Sequence, residues 1–209
     1  MRVLIADNHA VVREGIKHLL AGLPEQVEVG EAGSANETLA LAREAPWDVA
    51  LLDIAMPGGN GLDLLKQLRR ENPALPVLIL SMYPEEQYAL RVLRAGACGY
   101  LTKESATDRL IAALQAAQRG QRYASPEIVA RLAAAPEVES EECPQENLSD
   151  REFEILKLIA QGHGVSRIAA RLSLSVSTVG TYRARLLHKL GLRQTAELVA
   201  YAVRHGLAD

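Results

Sequence analysis

The sequence predicts a doubly wound α/β protein with a five-stranded parallel sheet, followed by a small all-helical domain. Three observations support this prediction. Short apolar runs alternate with helical patterns through about the first 120 residues. The third run, Val49–Leu52, is apolar at every position, which is typical of a strand buried on both faces. Near the carboxyl end, two helical patterns are separated by a short turn, as in a helix-turn-helix.

The five predicted strands share runs of branched apolar residues: 3–6, 27–29, 49–52, 77–80 and 99–101. The predicted helices that alternate with them cover residues 12–20, 34–45, 62–71, 84–96 and 105–120. Ser34 with Glu37, and Ser105 with Asp108, have the spacing of capping boxes and predict two of the helix starts.

The net charge of −3 is unevenly distributed along the 209 residues. Residues 1–120 have 12 Lys and Arg against 15 Asp and Glu, residues 121–146 have 2 against 6, and residues 147–209 have 9 against 5. This distribution predicts two domains, 1–120 and 147–209, with different partners and an acidic linker between them. The basic second domain is the candidate for nucleic-acid binding.

The linker, 121–146, is predicted to contain a short helix at 126–132, followed by an acidic stretch that we expect to be a mobile tether. Cys143 lies in that stretch, and Cys98 is interpreted as a small core residue; together they match no metal-ligand spacing. No run approaches the roughly 18 apolar residues of a membrane span. The expectation is a cytoplasmic protein without structural disulfides.

Polar residues follow four of the predicted strands. They are Asp7 and Asn8, Asp53, Ser81, and Lys103. Since the carboxyl ends of parallel strands meet at one edge of a sheet, we expect these side chains to converge there. Carboxylate and amide oxygens suit Mg²⁺, and an ammonium and a hydroxyl suit a phosphoryl group. Pro57, Gly58, Gly59 and Gly61 predict a turn after Asp53, so that its carboxylate opens into a crevice.

Single residues of this set have other interpretations. Asp53 alone is equally compatible with a turn or helix-cap residue. His9, close to Asp7, is interpreted as a surface or helix-start residue rather than as a catalytic base.

The pattern over residues 2–119 resembles the receiver domain of two-component response regulators. The match consists of Asp7-Asn8, Asp53 with Met56-Pro57 and Gly61, Ser81, Tyr100 and Lys103. The resemblance implies a flavodoxin-like sheet of order 2-1-3-4-5 and a histidine kinase that phosphorylates Asp53. It implies that Lys103 binds phosphate and that Ser81 and Tyr100 are the switch residues. The implied Mg²⁺ ligands are Asp7, Asn8, Asp53 and the backbone carbonyl of Ala55.

One departure from the family pattern is Asn8, which stands where a second acid is usual. An amide in that place removes one negative charge near a divalent ion, so weaker Mg²⁺ binding is predicted, unless the Asn8 carbonyl ligates well enough. Ala55 and Tyr83 are expected to flank the path of the water that hydrolyses the acyl phosphate. Tyr83 is equally compatible with a packing role.

The second domain opens with a complete helix-start signature. Ser149 and Glu152 have capping-box spacing, and Leu148 can pack on Phe153. The predicted helices are 150–161, 166–172, 176–190 and 195–205. Residues 173–175 form the turn of a helix-turn-helix, whose second helix would enter the major groove of DNA. A solvated basic helix is the simpler alternative.

The stretch 147–207 resembles the LuxR-type output domain, through Leu-Ser-Asp-Arg-Glu at 148–152, Ile168-Ala169, Leu172, Ser175, Thr178-Val179 and Lys189-Leu190-Gly191. Thr181 and Arg185 are predicted to contact the groove, and Thr178, Arg183 and Lys189 to contact phosphates or base edges. The candidate DNA-binding set is completed by Ser177 and Tyr182. Gly180 replaces a usual polar residue, which makes base reading there doubtful. Leu198, Val199 and Ala202 are candidates for either core or dimer interface.

Both halves together resemble the NarL/FixJ class, which implies a DNA-binding transcription regulator, switched by phosphoryl transfer to Asp53 and dimeric on DNA, rather than an enzyme. A regulator that works unphosphorylated, with Asn8 marking an atypical receiver, is the alternative. An aspartate-based phosphatase is disfavoured because Ala55 occupies the place of its second acid.

Overall fold

The structure is a computed structural model that describes residues 1–56, 61–134, 148–172 and 174–207. The chain divides into two compact units, Met1–Ala135 and Pro136–Asp209, and each is considered by itself. Several sequence-based expectations fall outside the described residues: the turn at 57–59, most of the acidic tether with Cys143, and Ser173 in the helix-turn-helix.

The first unit contains a parallel five-stranded sheet in the order β2-β1-β3-β4-β5, which confirms the predicted order. Its strands are β1 (Arg2–Ala6), β2 (Glu28–Ala32), β3 (Val49–Leu52), β4 (Val77–Ser81) and β5 (Gly99–Thr102). The helices are α1 (Ala10–Ala21), α2 (Ala35–Glu44), α3 (Gly61–Glu71), α4 (Glu85–Arg94), α5 (Ala106–Gln118) and α6 (Pro126–Ala134).

Apolar side chains cover both faces of this sheet. Successive residues of a strand point to opposite faces, so Leu52 belongs to one core cluster and Leu51 to the other. β3 and β4 are buried at every position, as expected for central strands between two helical layers. The uninterrupted apolar run of β3 follows from this double burial.

Two local predictions in the first unit are wrong. The apolar pattern predicts the second strand at 27–29, but β2 extends from Glu28 to Ala32 and pairs with β1 along its whole length. Its partly exposed residues hide the strand from a search for apolar runs. Ser105 makes no side-chain cap for α5, because its backbone is helical rather than extended and its Oγ accepts from the Thr102 hydroxyl instead (3.0 Å). Ser34 does cap α2, accepting from the Glu37 N–H.

The second unit contains α7 (Asp150–Ala160), α8 (Val165–Leu172), α9 (Val176–Lys189) and α10 (Thr195–Arg204). The predicted capping box of Ser149 and Glu152 is present at the start of α7. Leu198 and Ala202 of α10 are fully buried within this unit, so they belong to its core. Across the part of the chain that the structure describes, no helix is both long and apolar enough to cross a membrane.

Candidate functional site

The carboxyl edge of the sheet brings together four polar residues from four strands. Backbone hydrogen bonds extend the strand ladders to this edge: Asp53 N donates to Ala6 O (2.8 Å), and Lys103 N donates to Ser81 O (2.8 Å). The Lys103 ammonium lies 2.6 Å from Asp7 Oδ2 and 2.8 Å from Asp53 Oδ2. One cation therefore bridges two carboxylates that are 46 positions apart in the sequence.

Asp53 is buried, with 1% of its surface exposed. Its Oδ1 accepts from the Ala55 N–H (2.8 Å), and its Oδ2 accepts from Lys103 (2.8 Å). The prediction that this carboxylate opens into a crevice is therefore wrong for this structure. The physical reason is the bridging ammonium, since burying two carboxylates side by side requires a cation between them.

Asp7 has further partners in the loop that leads into α1. Its Oδ1 accepts from the His9 backbone N–H (2.8 Å) and lies 3.0 Å from His9 Nδ1, and its backbone carbonyl accepts from Arg13 (2.7 Å). His9 is the N-cap residue of α1, as predicted, and its side chain is 57% exposed. Its ring contact with Asp7 was not predicted, because sequence spacing gives no side-chain direction in a loop.

The edge of the sheet has the composition of a cation site. Ligand atoms of Asp7, His9 and Asp53 all lie within 4.8 Å of one another. The Asn8 Oδ1 atom is buried, and among the residues that the structure describes it has no hydrogen-bond partner. Two carboxylates and one ammonium leave a net negative charge, so the pocket retains attraction for a hard cation.

A chain of hydrogen bonds leads away from this edge. Ser81 is fully buried, and its Oγ accepts from the Tyr83 N–H (3.2 Å). The Tyr83 carbonyl accepts from the Tyr100 hydroxyl (2.7 Å). Burial raises the pKa of Tyr100 above its usual range, so the phenol stays protonated and continues to donate. Tyr100 therefore points inward and is coupled to Ser81 through the loop between β4 and α4.

Tyr83 has a packing role in this loop. Its ring stacks on Tyr88 of α4, with 4.9 Å between the centroids and 16° between the planes. Ala55 is exposed, and its N–H holds Asp53 Oδ1. The roles proposed for these two residues in hydrolysis stay predictions.

The surface of α9 forms the second candidate site. Its open concavity of about 310 Å³ is lined by Ser177, Thr178, Thr181, Tyr182 and Arg185, all of them in the predicted DNA-binding set. The helix begins at Val176, where Ser175 Oγ accepts from the Thr178 N–H (3.0 Å). The Arg185 guanidinium lies 5.8 Å from the centre of the Tyr182 ring. The i, i+4 spacing of a helix thus gathers hydroxyl, aromatic and guanidinium groups on one face.

Lys189, also in the predicted DNA-binding set, makes an ion pair with Glu152 (2.7 Å). Burial alone would raise the pKa of Glu152, but hydrogen bonds from Lys189 and Ser149 reverse this and hold the pKa below its usual value. The pair connects the end of α9 to the start of α7. A phosphate contact by Lys189 would compete with this bond.

Two further positions on α9, Arg183 and Gly180, do not line this concavity. The Arg183 Nε atom is buried and has no hydrogen-bond partner within the described ranges. A Cβ placed on Gly180 would meet nothing within 4 Å among the residues that the structure describes. Within those residues, no packing contact therefore requires glycine at this position of the helix.

Comparison with protein families decides the identity of both units. The response regulator receiver domain family matches residues 3–115, more than half of the chain. The luxR family of bacterial regulatory proteins matches residues 146–202. The chain belongs to the response regulators. It is a DNA-binding regulator of the LuxR type, which confirms the predicted family and fold class.

Individual response regulators match over the full length of the chain. The response regulator GacA of Pseudomonas aeruginosa is 38% identical over 210 residues, which cover 100% of this chain and 98% of GacA. The response regulator UvrY of Escherichia coli K12 is 34% identical, with 100% and 96% covered. These matches extend across both units and the linker.

A solved structure also spans both units. RcsB from Salmonella enterica serovar Typhimurium, bound to the promoter rprA in the presence of the phosphomimetic BeF3−, is 31% identical and has a TM-score of 0.70. The comparison covers 96% of this chain and 97% of RcsB. Another related structure contains two RcsB dimers bound to two parallel DNAs, at 29% identity and a TM-score of 0.60.

Proposed function

We propose that this response regulator accepts a phosphoryl group on Asp53 from a histidine kinase and that phosphorylation controls DNA binding by α9. One observation carries the first half of the proposal: Lys103 lies between Asp7 and Asp53, at 2.6 and 2.8 Å. The Lys103 ammonium can donate to a phosphoryl oxygen in place of a carboxylate oxygen, once the negative charge of the two carboxylates is offset by a metal ion. Asp53 is the nucleophile of this set, and Asp7 is the metal-binding acid.

The transfer step conserves the phosphoryl group. A carboxylate oxygen of Asp53 forms the new O–P bond while the N–P bond of the kinase phosphohistidine breaks, and the released histidine nitrogen takes up a proton. Lys103 moves from Asp53 Oδ2 to a phosphoryl oxygen. Ser81, at the end of the adjacent strand, donates a hydrogen bond from its hydroxyl to a second phosphoryl oxygen. Its Oγ still accepts the hydrogen bond from the Tyr83 N–H.

The residues present fit Mg²⁺. Asp7, Asp53 and the Ala55 carbonyl would hold the ion together with Asn8, whose buried Oδ1 has no other partner in the described parts of the chain. When bound, Mg²⁺ offsets the repulsion between Asp53 and the incoming phosphoryl oxygens. No observation favours the alternative in which the regulator works unphosphorylated.

Replacing Asn8 by Asp tests the weakness of this metal site. We expect Asn8→Asp to raise the affinity for Mg²⁺ by roughly tenfold, because one more negative charge attracts the ion. Calorimetric titration of both proteins with Mg²⁺ measures the difference. Equal dissociation constants would show that the amide oxygen ligates as well as a carboxylate.

The second half of the proposal concerns DNA. Thr181 and Arg185 read base edges in the major groove, whereas Ser177, Thr178, Tyr182 and Arg183 contact the backbone or flanking bases, and Lys189 joins them by exchanging Glu152 for a phosphate. The DNA-bound RcsB dimers support a homodimer that contacts two half-sites about one helical turn apart. We place such a regulator in the cytoplasm, where bacterial DNA lies. Its receiver domain is assigned to residues 1–120 and its DNA-binding domain to residues 147–209.

The decisive experiment combines Asp53→Asn with a footprint. The native protein, treated with a small phosphodonor and Mg²⁺, should gain about 80 Da by intact mass spectrometry, the mass of one phosphoryl group. It should also bind its operator more tightly, by roughly 5- to 100-fold. Asp53→Asn should lose both effects. The proposal would be refuted if the phosphodonor changed neither the mass of the native protein nor its footprint on DNA.

A further inference from the structure

Residues 121–134, here called the linker segment, pack on the first unit beside β5. Tyr123 forms a parallel bridge with Gly99. Its N–H donates to the Cys98 carbonyl (2.7 Å), and its carbonyl accepts from the Tyr100 N–H (3.2 Å). The approach is close, because a Cβ on Gly99 would lie 2.6 Å from the Tyr123 carbonyl oxygen. The linker segment therefore binds the backbone of the strand that carries Tyr100.

The linker segment is also fixed to α4. The Ser125 N–H donates to Glu85 Oε1 (3.0 Å), and Ile128 is 3% exposed within the core cluster that contains Tyr100. Val129, its neighbour on α6, is 48% exposed. Among the side chains that the structure describes, Ile128 and the hydrogen bond between Ser125 and Glu85 thus fix α6 beside α4, which begins directly after the loop that contains Tyr83.

These contacts continue the hydrogen-bond chain that begins at the proposed phosphoryl site, the cluster of Asp7, Asp53, Ser81 and Lys103. Ser81 Oγ accepts from Tyr83 N, Tyr83 O accepts from the Tyr100 hydroxyl, and Tyr100 N donates to Tyr123 O. We infer that the linker segment is a positioning element of the phosphoryl site: it holds Tyr100 inward, and through Tyr83 it holds the Ser81 hydroxyl in place. The inference rests on the proposed phosphorylation of Asp53.

The coupling is reciprocal. If docking of the linker segment favours the arrangement of Ser81 that binds a phosphoryl group, then a bound phosphoryl group strengthens docking by the same factor. The linker segment would thereby report the state of Asp53 to the chain that follows it. Undocking it should weaken the phosphoryl site without any change in a residue of that site.

The full-length protein and BeF3−, with Mg²⁺ and fluoride, provide the test. We expect Ile128→Ala and Glu85→Ala to weaken BeF3− binding by calorimetry, each by roughly 5- to 10-fold. Glu85→Gln keeps an acceptor oxygen for Ser125 N and should bind within about twofold of the native protein. Val129→Ala, on the exposed face of the same helix, is the matched control and should not differ from the native protein.

Hydrogen exchange gives a second readout. BeF3− should slow exchange of the Tyr100 and Tyr123 amides in the native protein, and Glu85→Ala should accelerate exchange of both without BeF3−. Faster exchange with unchanged BeF3− affinity would overturn the inference, because the linker segment would then only pack on β5. Should the native protein fail to bind BeF3−, the proposed function falls first, and the inference falls with it. The comparison of Glu85→Ala with Glu85→Gln still tests the inference if the Ile128→Ala variant unfolds.

Discussion

The two candidate sites of this response regulator are built in opposite ways. At the first candidate site, Asp7 and Asp53 are each 1% exposed, and one buried ammonium pairs with both. On α9, groups such as Thr181 and Arg185 are exposed and contact residues of the same helix, Ser177 and Tyr182 respectively. Buried charges depend on each other for the stability of the fold, whereas exposed groups are available to a macromolecule. A substitution should therefore affect stability at the first site and affinity at the second.

The largest effect on stability is expected from Lys103→Gln. Removing the bridging cation leaves two buried carboxylates side by side, which should cost about 3 kcal/mol of unfolding free energy. Urea unfolding measures the loss, and millimolar Mg²⁺ should recover part of it by replacing the lost positive charge. Lys17→Gln is the matched control, since Lys17 pairs with Glu14 and Glu31 at the surface, and this substitution should cost much less unfolding free energy than Lys103→Gln. Equal losses in the two variants would contradict the comparison.

Arg185→Ala is expected to have the opposite profile. The free energy of unfolding should change by less than about 0.5 kcal/mol, because the side chain is exposed. Operator affinity should fall by about 1–3 kcal/mol, roughly 5- to 160-fold, if Arg185 reads a base. Fluorescence anisotropy on labelled operator DNA measures this loss. Arg204→Ala on α10 is the control; if it weakens binding equally, the effect of Arg185 is only a loss of net charge.

Glu152→Gln tests a position that lies between these extremes, since Glu152 is buried and Lys189 is 40% exposed. The fold lowers the pKa of Glu152, so the ionised form contributes stability above the ordinary value of 4.5, and this contribution is lost as pH falls through the folded pKa. We expect the variant to be about 1 kcal/mol less stable at pH 7. The difference between native protein and variant should shrink on acidification below pH 4.5. A constant difference across this range would show that the charge is unimportant.

The convergence of Asp7, Asp53 and Lys103 could be predicted from the sequence because sheet topology determines it. Once β1, β3, β4 and β5 are parallel neighbours, the residues after them must meet at one edge, and Asp7, Asp53 and Lys103 do meet there. The start of α7 was equally predictable, because a capping box is a local pattern of four residues.

Other features depend on contacts that the sequence does not encode locally. The pairing of Lys189 with Glu152 joins positions 37 apart, and Ser125 N meets Glu85 across 40. The sequence shows that these residues are charged or polar, but it does not show which residues they pair with. The burial of the Asp53 carboxylate could not be predicted either. The sequence indicates that Lys103 lies at the same edge of the sheet, but not that its ammonium contacts this carboxylate.

The bridge between Gly99 and Tyr123 has a further consequence for the behaviour of the protein in solution. β5 is an edge strand of the sheet. The unpaired N–H and C=O groups of an edge strand can pair with an extended segment of another chain. Tyr123 occupies two of these groups, the Cys98 carbonyl and the Tyr100 N–H. A variant that loses the linker segment would therefore be prone to self-association through strand pairing.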